Sequence, residues 1–221
     1  MMKTDKDKTK AKKAKSVQGA RYVTTVAVMA GLLVALKFAL SFLPNVEVVT
    51  LLIAVFSVAW GIRYSLPATV VFCLVEMAIY GVAGWVLLYF IYWPSLAVIF
   101  FFLLRGKTGV MAIVLGAVVG GVFSMIFGVF SASVETLLVV GNVAYDKLGT
   151  FFVSYYVKGL WFDLVHVVSV VASMLVLYLP LVKVGHRVRD SLGDLPVCQA
   201  YKACRRRRGN SMRDRASWSR G

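Results

Sequence analysis

The sequence predicts an all-α protein, a bundle of six transmembrane helices with both termini in the cytoplasm. Of the 221 residues, 60% are hydrophobic and 16% are charged, whereas soluble domains are about half apolar and about a quarter charged. The apolar residues form runs close to the length of about 20 residues that a membrane-spanning helix needs. Lys and Arg fall in alternate connections between these runs, as expected when a chain crosses a membrane repeatedly.

Six apolar segments are candidate spans: 22–43, 47–62, 66–83, 86–104, 109–131 and 153–182. The second of them is the shortest. The first is too long for a cleaved signal peptide and five more follow it, so it is counted as a span. The runs are too long for barrel strands and do not alternate between apolar and polar residues, so β-strands are not expected. No convincing internal repeat is present, which disfavours a transporter built from two inverted halves.

The direction of the spans follows from the basic residues. The connection after the second segment carries Arg63, and the connection after the fourth carries Arg105 and Lys107. The opposite connections are 43–47, 81–84 and a longer loop near 132–152. Only the last of these contains a basic residue, Lys147, which acidic residues accompany. Both termini are therefore predicted to be cytoplasmic.

The two ends, residues 1–21 and 183–221, hold 19 of the 25 Lys and Arg residues, together with five acidic residues. Residues 1–21 are low in sequence complexity and are expected to be disordered. Residues 183–221 are expected to form a cytoplasmic tail near acidic lipid headgroups. Because these basic ends flank a membrane domain, 22–182, we expect the lipid bilayer as their partner and not nucleic acid.

Ionisable residues lie inside the apolar segments, where each costs a few kcal/mol and normally faces a partner or a cavity. At about 1.5 Å per residue, Asp163 lies about 15 Å and His166 about 20 Å from the outer end of the sixth segment, and Glu76 lies near mid-membrane. One interpretation is structural pairing of Lys37 with Glu76, or of Lys158 with Asp163. The other is a polar pocket open to the outside, which is favoured because the inner third of the bilayer is nearly free of charge. A proton channel would need a chain of polar groups across the whole thickness of the bilayer, and the sequence shows no such chain.

Aromatic residues gather at the same outer end, with Tyr89 and Trp93 in the fourth segment and Tyr156 and Trp161 in the sixth. They form either an interfacial aromatic belt or the walls of a pocket, since small-molecule sites are mostly apolar with a few placed polar groups. The candidate substrate-binding residues are Lys37, Asn45, Glu47, Glu76, Tyr89, Trp93, Tyr156, Lys158, Trp161, Asp163 and His166.

Small residues at a spacing of four form a second pattern. In the first segment, Ala27, Gly31 and Ala35 make a flat stripe that lets another helix approach closely. This stripe serves either packing within the bundle or docking of a partner helix. In the fifth segment, Gly116 and Gly120 have the same relation and are expected to serve internal packing.

Enzyme signatures do not occur in the sequence. It contains no G-x-x-x-x-G-K-[ST], H-E-x-x-H or G-x-S-x-G motif. Glu76 and Asp163 are two intramembrane acids, but neither lies in a G-x-G-D context that would suggest an intramembrane protease. The three cysteines show neither zinc-binding spacing nor a disulfide framework. We therefore expect no catalytic residue, no metal, no cofactor and no enzymatic activity.

Residues 20–185 resemble the substrate-binding S components of energy-coupling factor (ECF) vitamin transporters. The size, the six-helix layout and the stripe Ala27, Gly31, Ala35 carry the likeness, since the family has an A-x-x-x-A signature in its first helix. More specifically, "LPNVEVVTLLIAVFSVAWG" (43–61) and "VKGLWFDLVHVVS" (157–169) resemble a subgroup whose substrate is often unassigned. Gly31 stands where the signature has Ala.

The resemblance implies a division of labour in a bacterial plasma membrane. The S component binds a vitamin or related micronutrient at its extracytoplasmic end. It docks through its first helix, here by Ala27, Gly31 and Ala35, onto a membrane coupling protein that two cytoplasmic ATPases drive. The alternatives are a transporter or channel that works alone, and a non-transport scaffold or regulator whose basic tails are the working part.

Overall fold

A computed structural model of the chain describes residues 2–44, 46–140 and 147–193, with side chains from residue 16 onward. Within these ranges the chain is all-helical and has no β-strand, which confirms the predicted fold class at this level. The helices are α1 (Met2–Ala39), α2 (Val49–Ala59), α3 (Ile62–Tyr80), α4 (Gly84–Leu104), α5 (Gly109–Val139) and α6 (Leu148–Gly193).

Five of these helices are long and apolar enough to cross a membrane: α1 over Ser16–Ala39, and α3, α4, α5 and α6 over their full lengths. Such a set of helices is typical of a multi-pass membrane protein. The predicted first, third, fourth, fifth and sixth spans each coincide with one of them.

The second predicted span, 47–62, corresponds to the shorter helix α2, which has 11 residues. At about 1.5 Å per residue α2 is about 16 Å long, well below the bilayer core of about 30 Å. Ten of its residues are buried, and it packs against α3 and α4. Because protein and not lipid surrounds α2, its length is set by its neighbours and not by the bilayer.

The ends of the chain differ from the sequence expectation. Helix α1 begins at Met2, so residues 2–21 are helical where disorder was expected, and α6 continues to Gly193, beyond the predicted boundary at 182. The chain separates into two compact units, and the bounds of one of them, Val26–His186, are within four residues of those of the predicted membrane domain, 22–182. The other unit joins the two chain ends; within it, Arg21 Nη1 donates a hydrogen bond of 3.2 Å to the carbonyl of Leu192.

Close packing of α5 on α6 depends on glycine. Gly116 and Gly120 are buried, as the sequence predicted for internal packing. A Cβ atom at Gly120 would lie 2.6 Å from Val170 Cγ1 and 3.2 Å from Thr50 Cγ2. The absence of a side chain therefore lets α6 approach α5 beside the first turn of α2.

The small-residue stripe on α1 faces outward. Ala27, Gly31 and Ala35 are exposed, and no atom lies within 4 Å of the position that a Cβ of Gly31 would take. The opposite side of α1 is buried through Met29 and Leu33. The stripe therefore does not serve packing within the bundle in this structure, which was one of its two interpretations.

Candidate ligand cavity

A cavity of about 390 Å³ lies at one end of the unit Val26–His186. Its lining comes from the C-terminal parts of α1, α3 and α5, the N-terminal parts of α4 and α6, and the connection into α2. The volume falls within the range of about 300–1,000 Å³ that is typical of small-molecule sites. The connections at this end are those with few Lys and Arg residues, so the predicted orientation would place the cavity on the extracytoplasmic side.

Lys37 lies in the last turn of α1, where a cation is favoured by the helix dipole. Its ammonium pairs with the buried Glu76 carboxylate of α3 and donates a hydrogen bond of 3.1 Å to Tyr89 Oη. The same nitrogen lies 4.4 Å from the Tyr89 ring centroid and 5.4 Å from that of Trp85, distances typical of cation–π contacts. Lys37 thus belongs to an ion pair and to the cavity wall, so the two interpretations of this residue are compatible.

Glu47 connects the start of α2 with α6. Its Oε2 accepts a hydrogen bond of 3.0 Å from the backbone N–H of Val49, and its Oε1 accepts one of 2.6 Å from the Thr50 hydroxyl. A carboxylate at this place satisfies free N–H groups of the first helical turn. Oε1 also lies 3.0 Å from His166 Nε2, and the Ser169 hydroxyl bonds both the N–H and the carbonyl of Glu47, each at 2.9 Å. Protein groups therefore engage the Glu47 carboxylate fully.

Asp163 differs from these charged residues because no residue that the structure describes forms a hydrogen bond or an ion pair with it. It is 7% exposed and lines the cavity one helical turn before His166. Its Oδ2 is buried without a hydrogen bond, and no described Lys, Arg or His forms an ion pair with it. The carboxylate lies against Gly128 of α5, so closely that any Cβ at that position would overlap it.

Aromatic rings from α4 and α5 form the wall between these polar groups. Tyr92 lies edge-on to Trp93 and to Phe127, with ring centroids 4.6 Å and 5.0 Å apart. Tyr89 contacts Trp93 in the same way at 5.5 Å. The Trp93 Nε1 donor is buried and has no hydrogen-bond partner in the part of the chain that the structure describes. The wall thus offers flat apolar surface to the cavity.

The structure brings most of the sequence-predicted residues together. Those that line the cavity are Lys37, Glu47, Tyr89, Trp93, Tyr156, Asp163 and His166. Glu76 lies behind Lys37 as its ion-pair partner and is fully buried. Asn45 lies outside the described residues.

Lys158 and Trp161 do not line this cavity. Both side chains are on the exposed side of α6, and Trp161 is 68% exposed. At about 100° per residue, they point roughly 140° and 160° away from Asp163. The pairing of Lys158 with Asp163 is therefore wrong, and Trp161 does not form part of the pocket wall.

Sequence reasoning missed the contribution of α5. This helix supplies Phe127, Gly128, Ser131 and Ala132 to the lining. None of them is charged, so a search for ionisable residues inside the apolar segments does not find them. Their signal is the spacing of the small residues Gly128, Ser131 and Ala132, which lie three and four positions apart and so share one side of α5.

Within aromatic walls, the cavity combines the engaged carboxylate of Glu47, the ion pair of Lys37 with Glu76 and the carboxylate of Asp163, which has no partner among the described residues. Together these groups suit a compact ligand that is mostly flat and apolar with few polar atoms. No protein-family model matches the chain, and no match is found among curated proteins or among solved structures.

Proposed function

We propose that this chain is the substrate-binding membrane subunit of an ECF-type importer in a bacterial plasma membrane. It captures a vitamin or related micronutrient in the cavity at the extracytoplasmic end and docks through α1 onto a membrane coupling protein. Two cytoplasmic ATPases supply the energy. The observation that carries the proposal is the cavity itself, where charged and aromatic side chains from separate helices converge at the end with few basic residues.

The cavity supports a receptor better than a channel because the core beyond it is filled. Leu96, Phe100 and Leu104 of α4 are 0% exposed, and Met174 and Tyr178 of α6 are at most 1% exposed. These residues occupy the halves of α4 and α6 away from the cavity lining. A ligand that enters from the cavity end would therefore stop against packed apolar side chains, as expected for a subunit that needs partners to complete transport.

The outward stripe on α1 supports docking. Ala27, Gly31 and Ala35 leave a flat, unoccupied surface, and small residues at this spacing let a second helix approach closely in a membrane. Helix α1 also carries Lys37, which lines the cavity. A partner on the stripe would consequently contact the same helix that forms part of the binding site.

The test is capture of the partners. The tagged chain is co-expressed with the coupling protein and the two ATPases of the same organism, and the complex is recovered through the tag. We expect Gly31→Leu to reduce recovery of the partners at least tenfold, while the purified variant still retains the wild-type small molecule in native mass spectrometry. Gly149→Leu is the matched control, because a Cβ at Gly149 also meets no atom within 4 Å.

Two results would count against the proposal. Equal recovery with Gly31→Leu and wild type would exclude the stripe as the docking surface. Uptake by the chain alone in liposomes, without ATPases, would favour the alternative of a transporter that works by itself.

A further inference from the structure

The charges around the cavity do not balance. Lys37 is neutralised by Glu76. Glu47 is engaged by His166 and by the first turn of α2. Asp163 is the only cavity-lining carboxylate, among the residues that the structure describes, with neither a hydrogen bond nor an ion pair. One negatively charged group, the Asp163 carboxylate, is thus left without a counter-charge for a ligand in the cavity to supply.

Leaving this carboxylate unpaired is costly. Asp163 is 7% exposed, and a charge with so little access to water is destabilised when it has no partner. A bound group that brings a positive charge against the carboxylate would recover much of this cost. Gly128 makes room for the carboxylate against α5, because any side chain at this position would overlap it.

We infer, on the basis of the proposed function, that the substrate is a ring-bearing molecule with a positively charged nitrogen that lies against the Asp163 carboxylate. The ring would pack on the aromatic wall that contains Tyr92, Trp93 and Phe127. Those rings also favour a nearby cation through their negative faces.

Other occupants fit the cavity less well. A divalent metal ion such as Ca²⁺ takes about six to eight oxygen ligands, whereas the cavity offers one free carboxylate. An anionic substrate would meet repulsion from Asp163, and Lys37, which is already paired, would give it little compensation. A neutral substrate would leave the carboxylate without a counter-charge.

The test uses three probes with the same indole ring and different end groups: tryptamine (cationic), tryptophol (neutral) and indole-3-propionate (anionic). Their dissociation constants are measured by titration calorimetry on the purified full-length chain in detergent. We expect tryptamine to bind at least tenfold tighter than tryptophol, and indole-3-propionate to bind most weakly.

Asp163→Asn keeps the shape and removes the charge. We expect it to weaken tryptamine binding about tenfold and to change tryptophol binding less than twofold. Asp190→Asn is the control, since Asp190 is an exposed carboxylate outside the cavity, and it should preserve the full preference. If Asp163→Asn cannot be purified, the order of the three probes on the wild-type chain decides the question.

The outcomes separate this inference from the proposed function. If tryptophol or indole-3-propionate binds as tightly as tryptamine, or if Asp163→Asn keeps the preference, the charge assignment is overturned while the cavity remains a site for ring compounds. If none of the three binds at millimolar concentration, the charge assignment is overturned, and the small molecule that co-purifies with the chain in native mass spectrometry tests the binding role of the cavity separately.

Discussion

At the scale of single residues, the Lys37–Glu76 pair makes the clearest energetic prediction. Glu76 is 0% exposed and the Lys37 side chain is 21% exposed. Glu76→Gln would leave the ammonium in a largely apolar place without its counter-charge. Because breaking a buried pair costs more than the intact pair contributes, we expect the free energy of unfolding to fall by about 2–4 kcal/mol.

Denaturant titration in detergent micelles measures this loss. The double change Lys37→Met with Glu76→Leu should recover at least half of it, since neither charge is then left alone. Glu135→Gln, the same chemical change on α5 outside the cavity, is the control and should cost less than 1 kcal/mol. A Glu76→Gln variant as stable as the wild type would show that the pair is not structural.

Asp163 and His166 make a second prediction at this scale. Asp163→Ala and His166→Ala remove two polar groups from the same wall. We expect each variant to insert in the membrane and to purify, with at least a tenfold lower occupancy of the co-purified small molecule in native mass spectrometry. Loss of folded protein with unchanged affinity in the remaining fraction would instead assign both residues a structural role.

At the scale of helices, adjacent glycines on α5 allow a matched comparison. A Cβ at Gly120 would lie 2.6 Å from Val170 Cγ1, whereas a Cβ at Gly121 has its nearest neighbour, Val171 Cγ2, at 3.6 Å. Both changes to Ala favour helix formation by about 0.5–1 kcal/mol. Gly120→Ala also forces α5 and α6 apart, and overpacking of this kind costs about 1–3 kcal/mol.

Thermal unfolding in detergent should therefore separate the two variants. We expect Gly120→Ala to lower the midpoint temperature by several degrees, and Gly121→Ala to leave it unchanged or to raise it. Equal midpoints would mean that the contact of Val170 with Gly120 does not limit the approach of the two helices.

Hydropathy predicted the helical class and five long helices because each of them contains an apolar run of about the length that a membrane span needs. It predicted α2 poorly because the apolar run 48–60 continues past the ends of that helix. The ends depend on tertiary features instead. Glu47, held by His166 and Ser169 of α6, starts the helix, and Gly61, with φ of +85°, follows its end.

The candidate site was predictable where helical periodicity applies. Tyr156, Asp163 and His166 lie on one side of α6 and line the cavity. The partners across the bundle were harder to predict, because the bond between Glu47 and His166 joins residues 119 positions apart. Nothing local in the sequence distinguishes Glu47, which protein groups engage, from Asp163, which they leave free.

At the scale of the whole molecule, the cavity and the short helix α2 explain each other. Glu47 lines the cavity, lies two positions before α2 begins, and accepts hydrogen bonds from the backbone N–H groups of its first turn. The residues that precede α2 line the cavity at this end instead of adding turns to the helix. A six-crossing topology therefore needs α2 to cover only the part of the membrane beyond the cavity.

Labelling of single cysteines on the two sides of α2 tests this topology. Phe42→Cys precedes the helix and Arg63→Cys follows it, in a chain whose Cys198 and Cys204 are replaced by Ser and whose buried Cys73 is kept. With a membrane-impermeant maleimide, we expect Phe42→Cys to be labelled in intact cells and Arg63→Cys only after permeabilisation, because basic connections stay in the cytoplasm. Val82→Cys and Lys107→Cys, on either side of α4, are the control and should show the same difference across an ordinary span.

Labelling of Phe42→Cys and Arg63→Cys from the same side would mean that α2 does not cross the membrane. The chain would then cross five times, and its termini would lie on opposite sides of the membrane.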